Sequence, residues 1–311
     1  MIENTQIKVS VVMITYGHEK FIREAVESIL SQICNFEIEL IIGNDASPDN
    51  TDSVINNILK ENPNAHKISY FKHEKNIGFM ENHIFVLQQV KGNYIAICEG
   101  DDYWIDRQKL QKQFDFLEAN PDFGMVFHDC KMLYEETNEL KDMGIVANIE
   151  DREYSRLEIF EKWTIPTGSV FFRANLINEE LYIIYRNKKA LFGDTYTNLF
   201  VSKNKKIYGF KDKMSVYRIH HGGLTSVKTD LIKKYANFLI HWKFIIDCFG
   251  KEFFTEKMKM RFSESYFNLA RLYYFKNNLI FIKFFILSFH YNRVIFFKLL
   301  SKKIKRNASR I

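Results

Sequence analysis

The chain has 311 residues, 46% of them apolar, and a formal net charge of +6. That apolar share fills a real core and argues against a disordered protein, and the length allows one large α/β domain plus a modest second unit. Four cysteines (Cys34, Cys98, Cys130, Cys248) stand far apart without CxxC spacing, which argues against a zinc site or disulfide framework and fits a reducing cytosol.

Residues 9–14 (VSVVMI) read as a buried strand, and 20–31 as a helix with Phe21, Ile22, Ala25, Val26, Ile29 and Leu30 at helical spacing. A strand at 38–42, a helix at 51–60, a strand at 68–71, a helix at 80–90 and a strand at 94–98 follow. This alternation predicts βαβ units and a mostly parallel, buried sheet with helices on both faces. After Asp106 an amphipathic helix runs to about Glu118, and Asn120-Pro121-Asp122 stops it. The next third mixes short strands (124–128, 169–172, 206–210, 214–219) with loops and helices. From about Thr229 only helical pattern remains, rich in Phe, Tyr and Lys. The expected organisation is an α/β domain over 1–228 and a basic, aromatic-rich helical region over 229–311.

The start of the chain is polar, without the apolar run of a secretory signal. No uncharged run reaches the roughly 20 residues a spanning helix needs. Residues 279–300 come closest, and Lys283, Arg293 and Lys298 interrupt them. A cytoplasmic protein is expected, one that touches a membrane without crossing it.

In a parallel α/β sheet, ligands bind beyond the carboxyl ends of the strands. The first predicted strand is followed by Thr15-Tyr16-Gly17-His18, the second by Asn44-Asp45-Ala46-Ser47-Pro48-Asp49-Asn50-Thr51, and the fourth by Glu99-Gly100-Asp101-Asp102-Tyr103-Trp104. These polar turns converge on one sheet edge. Adjacent carboxylates repel unless something neutralises them. Mg²⁺ or Mn²⁺ does so, taking one or two carboxylates plus phosphate oxygens. A solvated turn or a helix cap is the other reading of Asp101-Asp102 taken alone.

In this order, the motifs over residues 8 to about 225 resemble glycosyltransferase family 2, in a bacterial form with Glu99-Gly100-Asp101-Asp102-Tyr103-Trp104 as its metal motif. Asn44-Asp45-Ala46-Ser47 with Asp49-Asn50-Thr51 is similar to the family's D-G-S-x-D-x-T, and Asn76-Ile77-Gly78 and Lys91-Gly92-Asn93-Tyr94-Ile95 match the segments leading to the metal motif. The resemblance implies a GT-A fold, Rossmann-like, and inverting transfer from a nucleotide-diphosphate sugar, a UDP-sugar by analogy. By the same resemblance Thr15 and Tyr16 flank the nucleotide base, Asp45 bonds the base edge, and Asp101 and Asp102 hold ribose, Mn²⁺ or Mg²⁺ and diphosphate between them. Glu99 stands where many relatives have Asp. Pro166-Thr167-Gly168-Ser169 resembles an acceptor-side segment, and Asp194, in Gly193-Asp194-Thr195, matches the catalytic base. Asp194 opens a predicted helix toward Val201, where a carboxylate is stabilised in its charged form. In Tyr217-Arg218-Ile219-His220-His221-Gly222-Gly223, His220 is a further metal ligand and Arg218 a phosphate partner by the same analogy. His18, His73, His83, His128 and His241 receive no role.

The implied acceptor is a hydroxyl of a saccharide or lipid-linked saccharide in cell-surface polysaccharide assembly. The helical tail resembles an interfacial helix pair, with a basic cluster at Lys302, Lys303, Lys305 and Arg306 suited to an anionic surface. A peripheral place on the inner face of the cytoplasmic membrane is one expectation for it, and a helical subdomain packed on the core or in a dimer interface is the other. No GxGxxG follows the first strand, no P-loop motif is present and no QxxRW occurs, which argues against a dinucleotide oxidoreductase, a P-loop NTPase and a processive synthase. No nucleic-acid module accompanies the basic tail. A non-catalytic nucleotide-sugar-binding or scaffold protein of the same fold is the alternative.

Overall fold

The structure is a computed structural model and describes residues 7–142, 148–162, 165–223 and 230–308, with side chains to 303. The boundary expected at 228/229 and the side chains of Lys305 and Arg306 lie outside the described residues. The chain divides into two compact units, 1–186 with 193–227, and 187–192 with 228–311.

The first unit opens with β1 (Val9–Thr15), α1 (Ile22–Leu30), β2 (Ile38–Asn44), α2 (Thr51–Glu61), β3 (Ile68–Lys72), α3 (Phe79–Gln88) and β4 (Tyr94–Ile97). It continues through β5 (Tyr103–Trp104), α4 (Lys109–Ala119), β6 (Phe123–Tyr134), β7 (Glu139–Asp142), β8 (Arg152–Tyr154), α5 (Arg156–Lys162), β9 (Phe171–Arg173), α6 (Glu179–Tyr185), α7 (Gly193–Val201) and β10 (Lys206–Ile219). The sheet runs β3-β2-β1-β4-β9-β6-β10-β5, with β7 on β6 and β8 on β10. Pairs within β3-β2-β1-β4 are parallel, as the alternation predicts, and β9 joins β4 and β6 antiparallel. β1 and β2 are buried along nearly their whole length and, apart from Ser10, Thr15, Glu39 and Asn44, read as near-continuous apolar runs.

α1 begins at Ile22 rather than at residue 20, because the Phe21 N–H bonds the His18 carbonyl at 2.9 Å and closes a turn first. The two strands predicted at 206–210 and 214–219 are one, β10, whose register against β6 shifts between Phe210 and Lys213 and again between Lys213 and Ser215. The polar Lys211-Asp212-Lys213 stretch reads as a loop and is in fact a bulge.

The second unit is helical: α8 (Leu231–Phe249), α9 (Glu256–Tyr273), α10 (Asn278–Tyr291) and α11 (Arg293–Ala308). A side-chain cap precedes each helix. Asp230 accepts from the Ile232 and Lys233 N–H groups, Thr255 from Met258, Asn277 from Ile280 and Asn292 from Ile295.

Candidate active site

β1 and β2 end in register, Thr15 opposite Asn44, and β4 lies beside β1 with Val12 opposite Ile97. Their following turns therefore share one sheet edge. The β2–α2 turn is mainly scaffold for the β1–α1 turn. Gly17 N–H donates to Ser47 Oγ at 3.1 Å, His18 N–H to Thr51 Oγ1 at 2.9 Å and Glu19 N–H to Asp49 Oδ2 at 3.0 Å. Asp45 is buried and accepts from the Ile77 N–H at 2.7 Å and the Gly78 N–H at 3.0 Å, which fixes the Asn76-Ile77-Gly78 turn. A carboxylate bonded twice keeps further lone pairs for a base edge. Thr15 is buried, its hydroxyl 3.1 Å from His18 Nδ1, while Tyr16 is half exposed beyond the strand end.

Asp101 is the meeting point of three turns. Its Oδ2 lies 3.1 Å from His220 Nε2 and 3.6 Å from His18 Nε2. The approach depends on Gly100, where a Cβ would fall 2.7 Å from Thr15 Oγ1 and 2.9 Å from His18 Nδ1. The His220 ring packs on Phe21 at 4.6 Å between centroids, which sets its plane. Burial pushes the Asp101 carboxyl up, but the His220 hydrogen bond and the two nearby imidazoles of His18 and His220 outweigh it and hold it low. Burial lowers the His18 imidazole despite Asp101 beside it, which favours its neutral, ligating form. His18 carries no sequence signal beyond its place in the first turn, and the geometry brings it to the site.

Asp102 takes a different direction. Its Oδ1 accepts the Arg218 backbone N–H at 2.9 Å, so this carboxylate ties the β4–β5 turn to β10. Burial and the neighbouring Asp101 raise it well above the usual carboxylate range. Arg218, expected as a phosphate partner, meets two carboxylates in the fold. Its guanidinium bonds Glu135 Oε1 at 2.5 Å and pairs with Glu24, and it lies 4.5 Å from the Tyr103 ring centre. Glu24 on α1 and Glu135 just past β6 take its two terminal nitrogens, while its buried Nε has no partner among the described residues.

Asp194 lies in the first turn of α7, where the helix dipole favours negative charge. Burial raises Glu99 well above its ordinary value, and Asp102, Asp101 and Asp194 raise it further, so all four carboxylates share one field. Crowding of this kind is relieved by protonation, as the raised Glu99 and Asp102 indicate, or by a nearby cation.

The ligand atoms of His18, Asp101 and His220 lie within 4.8 Å of one another. Ligands about 2.0–2.3 Å from a common ion stand up to about 4.5 Å apart. The residues therefore fit one divalent cation with small adjustment. Asp102 is not in that group.

Residues 10–180 match Glycosyl transferase family 2. The Escherichia coli UDP-Glc:alpha-D-GlcNAc-diphosphoundecaprenol beta-1,3-glucosyltransferase WfaP is 35% identical over 232 residues, covering 74% of this chain and 85% of that protein. An uncharacterized Mycobacterium bovis protein is 32% identical over 222 residues, 71% of this chain, and the match spans only 62% of that protein's length. Among solved structures, Staphylococcus aureus TarS with UDP-GlcNAc superposes with a TM-score of 0.64 at 17% identity, covering 92% of this chain and 81% of that one. The Pyrobaculum calidifontis mannosyltransferase PcManGT, in complex with GDP-Man and Mn²⁺, gives 0.58 at 13% identity, covering 97% and 81%. These likenesses agree with the α/β sheet and C-terminal helices described above and make the fold GT-A. Matched across more than half its length and carrying that fold, the chain belongs to glycosyl transferase family 2.

Proposed function

We propose that the chain is a metal-dependent, inverting glycosyltransferase. It moves a sugar from a nucleoside-diphosphate donor, a UDP-sugar first, to a hydroxyl of a saccharide or lipid-linked saccharide. The observation that carries this reading is the convergence of His18, Asp101 and His220, with Asp101 and Asp194 both acting electrostatically on the buried Glu99. Support for the donor class comes from TarS, described with UDP-GlcNAc, and from WfaP, named for UDP-Glc and a diphosphoundecaprenol acceptor. A Campylobacter jejuni relative, 26% identical over 240 residues, is named GalNAc(5)-diNAcBac-PP-undecaprenol beta-1,3-glucosyltransferase. By this analogy the work is cell-surface polysaccharide assembly on the cytoplasmic side of the membrane.

His18, Asp101 and His220 would hold the cation, and their mixed nitrogen and oxygen donors suit Mn²⁺ better than Mg²⁺. A divalent ion held there would supply positive charge to offset the negative charge developing on the leaving diphosphate. Asp194 accepts the proton of the acceptor hydroxyl as its oxygen bonds the anomeric carbon. The bond from that carbon to the diphosphate oxygen breaks on the opposite face and leaves its electron pair on the nucleoside diphosphate. Configuration inverts and no enzyme nucleophile forms. Asp45 and Thr15 line the base end, and Tyr16 lies open beside them. Asp102 acts as a strut between the metal turn and β10.

The test is hydrolysis of a panel of nucleotide sugars with Mn²⁺, with Mg²⁺ and with chelator. Slow, metal-dependent release of one nucleoside diphosphate, lost in Asp101→Ala, is the expected result. Asp194→Asn should keep donor binding and lose acceptor transfer by about 100-fold or more. A folded protein that binds and turns over no donor would overturn the reading and favour the non-catalytic scaffold.

A further inference from the structure

α10 carries apolar residues around most of its circumference, interrupted by Lys283 and His290, which is unusual for a helix at a surface. Its inner face is accounted for within the second unit. Phe285 packs on Phe296 at 4.6 Å, and Ser263 and Ser288 each donate a hydroxyl to the other's carbonyl at 2.8 Å, drawing α9 and α10 close. Its outer face is bare, with Leu279 81% and Ile286 60% exposed at helical spacing. Phe275, in the turn before it, is 95% exposed, and α11 adds Val294 and Phe297, both more than half exposed.

Charge selects what covers this surface. Residues 265–311 contain ten Lys and Arg and no Asp or Glu. Lys283 lies within the outer face of α10, and Lys298 and Lys302 within that of α11, all exposed. A second copy meeting this face with its own would set like charge against like. An anionic bilayer offers both complements, an acyl boundary for the apolar side chains and phosphates for the lysines. No described helix is long and apolar enough to cross a membrane.

We propose that the α9–α10 turn and the outer faces of α10 and α11 dock on an anionic lipid surface, lying in its headgroup boundary. This rests on the second unit alone, and its failure leaves the catalytic reading untouched.

Full-length protein is sedimented with phosphatidylcholine vesicles, with and without phosphatidylglycerol, at low and high salt. Binding is expected only to the anionic vesicles, with release by salt. Phe275→Ser/Leu279→Ser/Ile286→Ser should abolish it. Lys298→Glu/Lys302→Glu/Lys303→Glu should weaken it by at least about fivefold per lysine. Both variants should keep the wild-type circular dichroism melt and donor hydrolysis. Absence of vesicle binding, or equal binding by the two folded variants, would overturn the proposal. So would a lipid-free dimer that the serine variant turns into monomer, because it would assign the face to a second copy.

Discussion

Two single residues show local rules being broken where the fold brings turns together. Ala46 occupies the place where the resembled motif has glycine, and its φ is +55°. The left-handed region costs a residue with a Cβ about 1–2 kcal/mol, and glycine gives back part of that through its freer unfolded chain. Ala46→Gly should therefore stabilise by about 0.5–1 kcal/mol in urea titration, and a loss of stability would show that the methyl group packs usefully. Lys109 is a cation with no exposure, bonded to Gln113 Oε1 at 2.8 Å and lying 3.9 Å from the Trp104 ring centre. Burial lowers its pKa to about 7, with the Cys98 and Asp106 charges opposing the shift. The unfolded chain then holds this proton more tightly from about pH 7 to 10.5, so the Lys109 contribution to stability rises with pH across that window. Lys109→Met should flatten that rise, by up to about 1.4 kcal/mol per pH unit, and be at least as stable as wild type at pH 7. An unchanged slope of unfolding free energy against pH would mean Lys109 stays charged in the fold.

At the scale of elements, the question is what β10 contributes beyond pairing. Arg218 joins it to α1 through Glu24 and to the end of β6 through Glu135, while its backbone N–H holds Asp102. The Arg218 side chain is 6% exposed and Glu135 29%, whereas Glu24 is 56% exposed. Removing the guanidinium leaves Glu135 poorly solvated, but Glu24 can return to water. Arg218→Met should thus destabilise by about 2 kcal/mol, less than a fully buried pair would lose. Donor KM should change little. A raised KM with unchanged melting temperature would support the phosphate role.

The same element shows where sequence stops informing. Periodicity and apolar runs found β1 to β4 and their helices within a few residues, because burial on both faces leaves a local imprint. β10 reads as two strands because Lys211 and Asp212 lie in a bulge, whose charged partner Asp151 comes from another segment. Asp101 and Asp102 are adjacent, and only the turn decides which one faces the histidines. His18 has no spacing relation to Asp101 or His220, since the three come from turns far apart in sequence. The end of a long side chain such as Arg218 is set by whichever acids reach it in space.

Across the whole molecule, charge is separated along the sequence. The acids of the site crowd together in the first unit, and the basic, acid-free stretch belongs to the second. The mild net charge of +6 conceals both. The acid cluster is a stability problem that binding should relieve, because a cation held only by the folded state stabilises by RT ln(1 + [L]/Kd). Mn²⁺ at 100 times its Kd should raise folding stability by about 2.7 kcal/mol, a melting shift of about 5–11 °C for a unit of this size. His18→Ala should weaken the half-saturating Mn²⁺ concentration by tenfold or more, and Asp101→Ala should abolish the shift. Asp102→Ala should leave the metal dependence largely intact while lowering the melting temperature, since its carboxylate holds β10 rather than the histidine group. If Asp102→Ala abolishes the Mn²⁺ shift and His18→Ala does not, the ion is held by the adjacent aspartates instead. His18 would then return to a structural place beside Thr15.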